Sequence, residues 1–226
     1  MALNKKYLPS HSLTYRPEID GLRALSVIVV MLFHADVPGF TGGYVGVDVF
    51  FVISGYLITS LILNQLEAGT FSFVQFYERR ARRIFPALFF VMLCSLPFAW
   101  FWMSPSQLKD FSASLVAISI FSSNILFWSE SGYFAAAAEM KPFLHTWSLS
   151  VEEQFYIIFP FVVLLIVKFC KSWFFFIIAA TALFSLLGAQ FGGSLSIFPP
   201  EVKSPFSWSN PASWALFYLA PGRVWE

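Results

Sequence analysis

Arg23 and His34 stand eleven residues apart in one apolar run of the sequence. At about 100° per residue, a helix sets them within about 20° of a common face and roughly 16 Å apart along its axis. Asp20, at i−3 from Arg23, joins that stripe. An ionisable group inside a membrane span is costly, so each one marks a candidate site. An imidazole near its ordinary pKa suits proton transfer at neutral pH. The structural alternative for His34 is an interfacial histidine near the end of the run.

Asp48 lies in Gly46-Val47-Asp48-Val49-Phe50-Phe51 and shares a face with Gly55 at i, i+7. A glycine there lets another helix or a ligand approach closely. The alternative for Asp48 is an interfacial or capping role, because Gly42-Gly43 is only a few residues away. Glu152 and Glu153 are adjacent carboxylates, and on a helix they diverge by about 100°. One faces a site and the other an interface; composition does not say which. Ser148, Glu152 and Tyr156 line up at i, i+4, i+8 as a polar stripe.

The cluster Arg79-Arg80-Ala81-Arg82-Arg83 has two readings. Arginine forks bind phosphate bidentately, which makes it a candidate nucleotide-phosphate grip. It is equally a positive anchor at the cytoplasmic face of a membrane. No G-x-G-x-x-G or Walker loop is present, so side chains alone would have to hold a nucleotide.

The elements that position these residues follow from composition. Of 226 residues, 58% are hydrophobic and 12% charged, about half the charge of a soluble domain. The expected class is all-α, a polytopic membrane bundle of about six to seven transmembrane helices occupying 1–226. A span needs about 20 apolar residues. Candidates run from about Gly21 to Ala35, Tyr44 to Leu66, Ile84 to Met103, Leu108 to Trp128, Leu149 to Val167 and Trp173 to Phe191. Ser213 to Ala220 begins another. The first run follows a long basic start and has no small-x-small cleavage site, so it reads as a retained anchor.

Lys5, Lys6, Arg16 and Arg23 before the first span, and the arginine cluster after the second, put the N-terminus in the cytoplasm. Simple alternation then leaves Lys168 and Lys171 outside, against the rule, unless the third or fourth segment is re-entrant. The net charge of +1 excludes the basic field that nucleic-acid binding needs. Cys94 and Cys170 lie in apolar runs without a C-x-x-C or ligand cluster, so neither a disulfide framework nor a metal site is expected.

Four stretches carry a resemblance: 15–25 (YRPEIDGLRAL), 43–57 (GYVGVDVFFVISGYL), 76–88 (FYERRARRIFPAL) and 141–156 (KPFLHTWSLSVEEQFY). In order across nearly the whole chain, they resemble membrane acyltransferase family 3, the O-acyltransferases of lipopolysaccharide, peptidoglycan and other surface glycans. The first two look most like the subgroup fused to a C-terminal SGNH-type domain. The resemblance implies an R-x10-H pair at Arg23 and His34, with His34 essential. It implies an R-x-x-R at Arg80 and Arg83, adjoined by Arg79, that is associated with acyl-CoA use, and a family-typical glutamate at Glu152. It also implies a unit of about ten spans, of which this chain is the N-terminal portion.

The expected reaction is transfer of an acyl group, acetyl foremost, from cytoplasmic acyl-CoA to a glycan hydroxyl at the outer face of the inner membrane. His34 serves as base or acyl carrier, and Asp48 or Glu152 orients it. No tightly bound cofactor is expected. The rival class is a transporter that moves a proton or solute by intramembrane charge. The interrupted, repeated helices which that class predicts are not visible.

Overall fold

A computed structural model describes residues 16–130 and 141–191. They are helical, with no strand among the described residues, and divide into two compact units between Phe71 and Ser72. The stretch 213–220 lies outside the described residues, as do Lys5 and Lys6.

The first unit is a pair of helices, α1 (Pro17–His34) and α2 (Val45–Glu67). Pro17 opens α1, and Glu18 and Asp20 in its first turn face the positive end of the helix dipole. The helix stops after His34 because Asp36 adopts a left-handed conformation (φ 51°). Its N–H bonds the Phe33 carbonyl, while the Val37 N–H reaches back to Leu32. That is a Schellman closure with aspartate in the position usually given to glycine. Gly69 (φ 66°) closes α2 by the same pair of bonds, to Leu66 and Gln65.

The two helices run antiparallel in close contact. Phe33 meets the Tyr44 ring edge-on at 5.7 Å, and the Arg23 guanidinium lies 5.1 Å from the Phe50 ring centre. Glycine makes the approach: a Cβ on Gly46 would stand 2.5 Å from the Ser26 carbonyl oxygen, and one on Gly43 would collide with that of Val29.

The second unit holds α3 (Phe73–Trp102), α4 (Pro105–Ser119), α5 (Ser123–Ser129), α6 (Thr146–Phe169) and α7 (Phe174–Phe191), with a 3₁₀ turn at Lys171–Trp173. Helix α3 begins eleven residues before the expected Ile84, so the arginine cluster stands on a helix rather than in a loop. Arg, Ala and Glu are good helix formers, and Glu78 and Arg82 form an i,i+4 ion pair at 2.7 Å. The 30 residues of α3 extend about 45 Å, well beyond a hydrocarbon core of about 30 Å.

The expected span from Leu108 to Trp128 is two helices, of 15 and 7 residues, each too short to cross a bilayer. Helix α4 opens with a capping box between Ser104 and Gln107 and runs back along the second half of α3. The chain reverses at Ile120–Ser122, where Phe121 is left-handed (φ 52°), a strained state for a bulky residue. Stacking on Phe85 and a bond from Gln154 Nε2 to its carbonyl (2.8 Å) hold it there. Helix α5 then returns, so that Phe127 packs with Met92, Phe111 and Phe143.

Helix α6 is antiparallel to α3. Phe73 stacks on Phe161, the Tyr77 hydroxyl donates to the Ile157 carbonyl at 2.8 Å, and Arg80 pairs with Glu153. Simple alternation makes these two helices parallel, and the reversal at Phe121 is why they are not. Lys168, near the end of α6, therefore lies toward the end of α3 that carries the arginines.

Among the described residues, three helices are long and apolar enough to cross a membrane: α2, α3 and α6. The apolar part of α7 is shorter, and α1 carries Glu18, Asp20 and Arg23 in its first two turns. The chain is a multi-pass helical membrane protein.

Candidate active site

In the first unit, His34 is the last residue of α1 and is exposed. Its Nδ1 lies 2.9 Å from the Val30 carbonyl oxygen. A carbonyl only accepts, so in the neutral ring Nδ1 carries the hydrogen and Nε2 keeps its lone pair. The Phe33 ring stands edge-on against the imidazole at 5.2 Å. In that tautomer Nε2 is the nitrogen able to accept a proton, on a residue that is exposed at the helix end.

Arg23 is half-buried and its Nε has no hydrogen-bond partner. Asp48, in the first turn of α2, has its own partner. The antiparallel register, with Gly46 against Ser26 and Gly43 against Val29, sets Asp48 level with about Ala24, nearly three turns or roughly 15 Å below His34. A carbonyl of α1 itself, rather than a carboxylate, orients the imidazole.

In the second unit the arginines separate. Arg79 and Arg83 are exposed, and so is Arg82 despite its pair with Glu78. Arg80 turns inward: its Nη2 donates to Glu153 Oε1 at 2.7 Å, with side-chain exposures of 19% and 8%. Its guanidinium covers the Tyr156 ring at 3.3 Å. The Tyr156 hydroxyl donates to Glu152 at 2.5 Å, so Glu152, Tyr156, Arg80 and Glu153 form one connected group. Of the expected stripe, Glu152 and Tyr156 meet, while Ser148 bonds the His145 carbonyl in its own turn.

Glu153 is the residue that the sequence left unassigned. The signal was the line Thr146, Ser150, Glu153, Tyr156, Pro160 and Val163, all buried and spaced by threes and fours. Above it, a buried polar seam joins α5 to α6. Ser123 and Ser150 hydroxyls meet at 2.7 Å, Ser123 also donates to the Thr146 carbonyl, and the Asn124 and Gln154 amides pair reciprocally at 3.1 and 2.8 Å. In lipid, such bonds hold helices together where apolar burial drives little. Among the described residues no group of three or more His, Cys, Asp or Glu side chains is placed to hold a metal, and Cys94 and Cys170 are free and exposed.

The first unit thus carries an ordered, exposed imidazole, and the second, taken by itself, an exposed arginine face. Residues 16–223 match the family described as "Acyltransferase domain", and the chain belongs to it. It is 38% identical over 164 residues to the peptidoglycan O-acetyltransferase OatA of Listeria monocytogenes, covering 72% of this chain and 26% of that protein. It is 36% identical over 162 residues to the O-acetyltransferase OatA of Staphylococcus aureus strain NCTC 8325, covering 71% of this chain and 26% of that one. A putative O-acetyltransferase of S. aureus strain MSSA476 is 33% identical over 173 residues, covering 76% and 28%. The chain thus spans about a quarter of the length of the curated relatives it matches. No solved structure matches it.

Proposed function

We propose that this chain is the catalytic N-terminal part of an integral-membrane O-acyltransferase. It moves an acyl group, acetyl foremost, from cytoplasmic acyl-CoA to a hydroxyl of a surface glycan. Peptidoglycan is the first acceptor to try, given the Listeria relative; lipopolysaccharide and exopolysaccharide are the others. The observation that carries the reading is His34: exposed at a helix end, its tautomer fixed by Val30.

Nε2 of His34 takes the proton of the acceptor hydroxyl as that oxygen attacks the thioester carbonyl. The C–O bond forms, the C–S bond breaks, and the CoA thiolate recovers the proton from the imidazolium. Direct attack by Nε2 to give an acyl-imidazole uses the same lone pair. Arg23 stabilises anionic charge lower on the same stripe, and Asp48 supplies a carboxylate on the first unit; on the second, Glu152 supplies another and the exposed Arg79 and Arg83 grip the donor phosphates.

The proposed setting is the inner membrane, with the N-terminus and the start of α3 in the cytoplasm. The antiparallel α3 and α6 support this, because they bring Lys168 to the arginine side, in keeping with the positive-inside rule. They also send the Glu130–Lys141 ion pair (2.6 Å) to the outer side, where an acceptor and a fused SGNH-type domain would lie.

The test uses the full-length protein in membrane vesicles given radiolabelled acetyl-CoA, with label followed into polysaccharide. Wild type is compared with His34→Ala and Arg79→Ala/Arg83→Ala. Loss of label in His34→Ala, with a raised acetyl-CoA requirement in the arginine variant, is the expected result. Equal labelling in all three refutes the reading.

A further inference from the structure

We infer that Glu153 is a positioning residue of the donor site, and that Arg80 is its strut rather than a phosphate ligand. The inference rests on the acyl-CoA reading and divides the work of the R-x-x-R segment. Arg80 spends its charge internally. A phosphate taking its Nη2 must displace Glu153, whose side chain is only 8% exposed, and so strand a carboxylate in the helix interface. The face of the guanidinium is covered as well, by a Tyr156 ring that is itself 3% exposed and tied to Glu152. Two edges of contact fix Arg80, and with it the rotation of α3 at that turn.

That rotation decides where the neighbours point. Arg79 and Arg83 stand at i and i+4, within about 40° of one another, and both are exposed. Residues at this spacing are adjacent on a helix surface, so the two forks present one anion-binding face to a diphosphate. Turning α3 to relax the Arg80–Glu153 pair would swing that face away. The carboxylate of Glu153 thus acts through Arg80 on two arginines it does not touch.

The test is a double-mutant cycle in the full-length protein, with two readouts. Initial rates of transfer are measured against acetyl-CoA concentration in vesicles, and the thermal midpoint of the detergent-purified protein is recorded. Arg80→Gln and Glu153→Gln each leave one charge buried alone, so each lowers kcat and the midpoint. The double variant Arg80→Gln/Glu153→Gln removes both charges and recovers most of the midpoint, a coupling that independent residues do not show. In both single variants the acetyl-CoA KM rises by the same factor, about threefold, because each releases the arginine face. Arg83→Gln keeps the wild-type midpoint and raises the KM about tenfold, the loss of roughly one charge-assisted contact.

A KM raised tenfold by Arg80→Gln but unchanged in Glu153→Gln makes Arg80 a ligand and overturns the inference. So does a double variant no more stable than the worse single one. An Arg83→Gln variant with unchanged KM instead refutes the donor reading of the arginine face, whatever the cycle returns.

Discussion

At the α1–α2 crossing the two backbones meet directly, because Gly43 and Gly46 leave no side chain between them and the Ser26 and Val29 carbonyls. At the α3–α6 contact, side chains do the joining: an ion pair, a guanidinium on a ring, and a hydroxyl on a backbone carbonyl. The difference bears on chemistry. A glycine-mediated crossing holds helices mainly by backbone contact, and His34, at the end of α1, bonds a carbonyl of its own helix. The α3–α6 contact consumes Arg80 and Glu153, and leaves for ligands only the arginines that point away. On the proposed reading, one unit packs by backbone and leaves His34 for chemistry, and the other sacrifices one charge to aim two more.

The largest effect that separates the units is expected at His34. His34→Ala should cut acyl transfer by at least about a hundredfold, the usual scale for a removed general base. The amount of full-length protein in the membrane should be unchanged, since the ring is exposed and its one bond is local. Label transfer and immunoblotting of the same vesicles check both halves. If transfer and insertion fall together, His34 is part of the packing and the contrast fails. Next in size is Gly46→Ala. The new methyl would stand 2.5 Å from a backbone oxygen that has no flexible end to yield. Overpacking of this kind costs about 1–3 kcal/mol, read as a lowered thermal midpoint in detergent. At Gly55, where a Cβ meets nothing within 4 Å, the same change should be silent.

Much of this was readable before any coordinates. The expected second span, Tyr44 to Leu66, differs from α2 by one residue at each end, and the expected fifth lies wholly inside α6, because long apolar runs with turn residues at their borders leave little choice. Three features were not readable, for distinct reasons. The reversal between α4 and α5 is marked only by Ser119 and Ser122-Ser123-Asn124, residues that membrane helices also accommodate. It is imposed from outside, by Phe85 and Gln154. The start of α3 was hidden by its arginines, since charge marks a membrane boundary but says nothing against a helix continuing past it. And two adjacent glutamates offer the same chemistry to a reader who does not know which way the helix is rolled. The small buried residues Thr146 and Ser150 fix that roll, and with it the choice of Glu153 for Arg80.

The remaining tests sharpen the second unit against its own interior. Asn124→Ala removes half of the reciprocal amide pair and leaves Gln154 its bond to the Phe121 carbonyl. Interhelical hydrogen bonds in membranes are worth about 0.6 kcal/mol on average and up to roughly 2, so the midpoint should fall by less than for Gly46→Ala. The smallest effect is expected at Arg82. Its pair with Glu78 is as short as that of Arg80, 2.7 Å, yet the side chains are 79% and 51% exposed. Solvent screens such a pair, and i,i+4 contacts of this kind contribute about 0.3–0.5 kcal/mol. Arg82→Gln should therefore leave the midpoint nearly where it was, while Arg80→Gln moves it clearly. Equal shifts at the two positions would mean that burial does not distinguish them, and the strut would lose its physical basis.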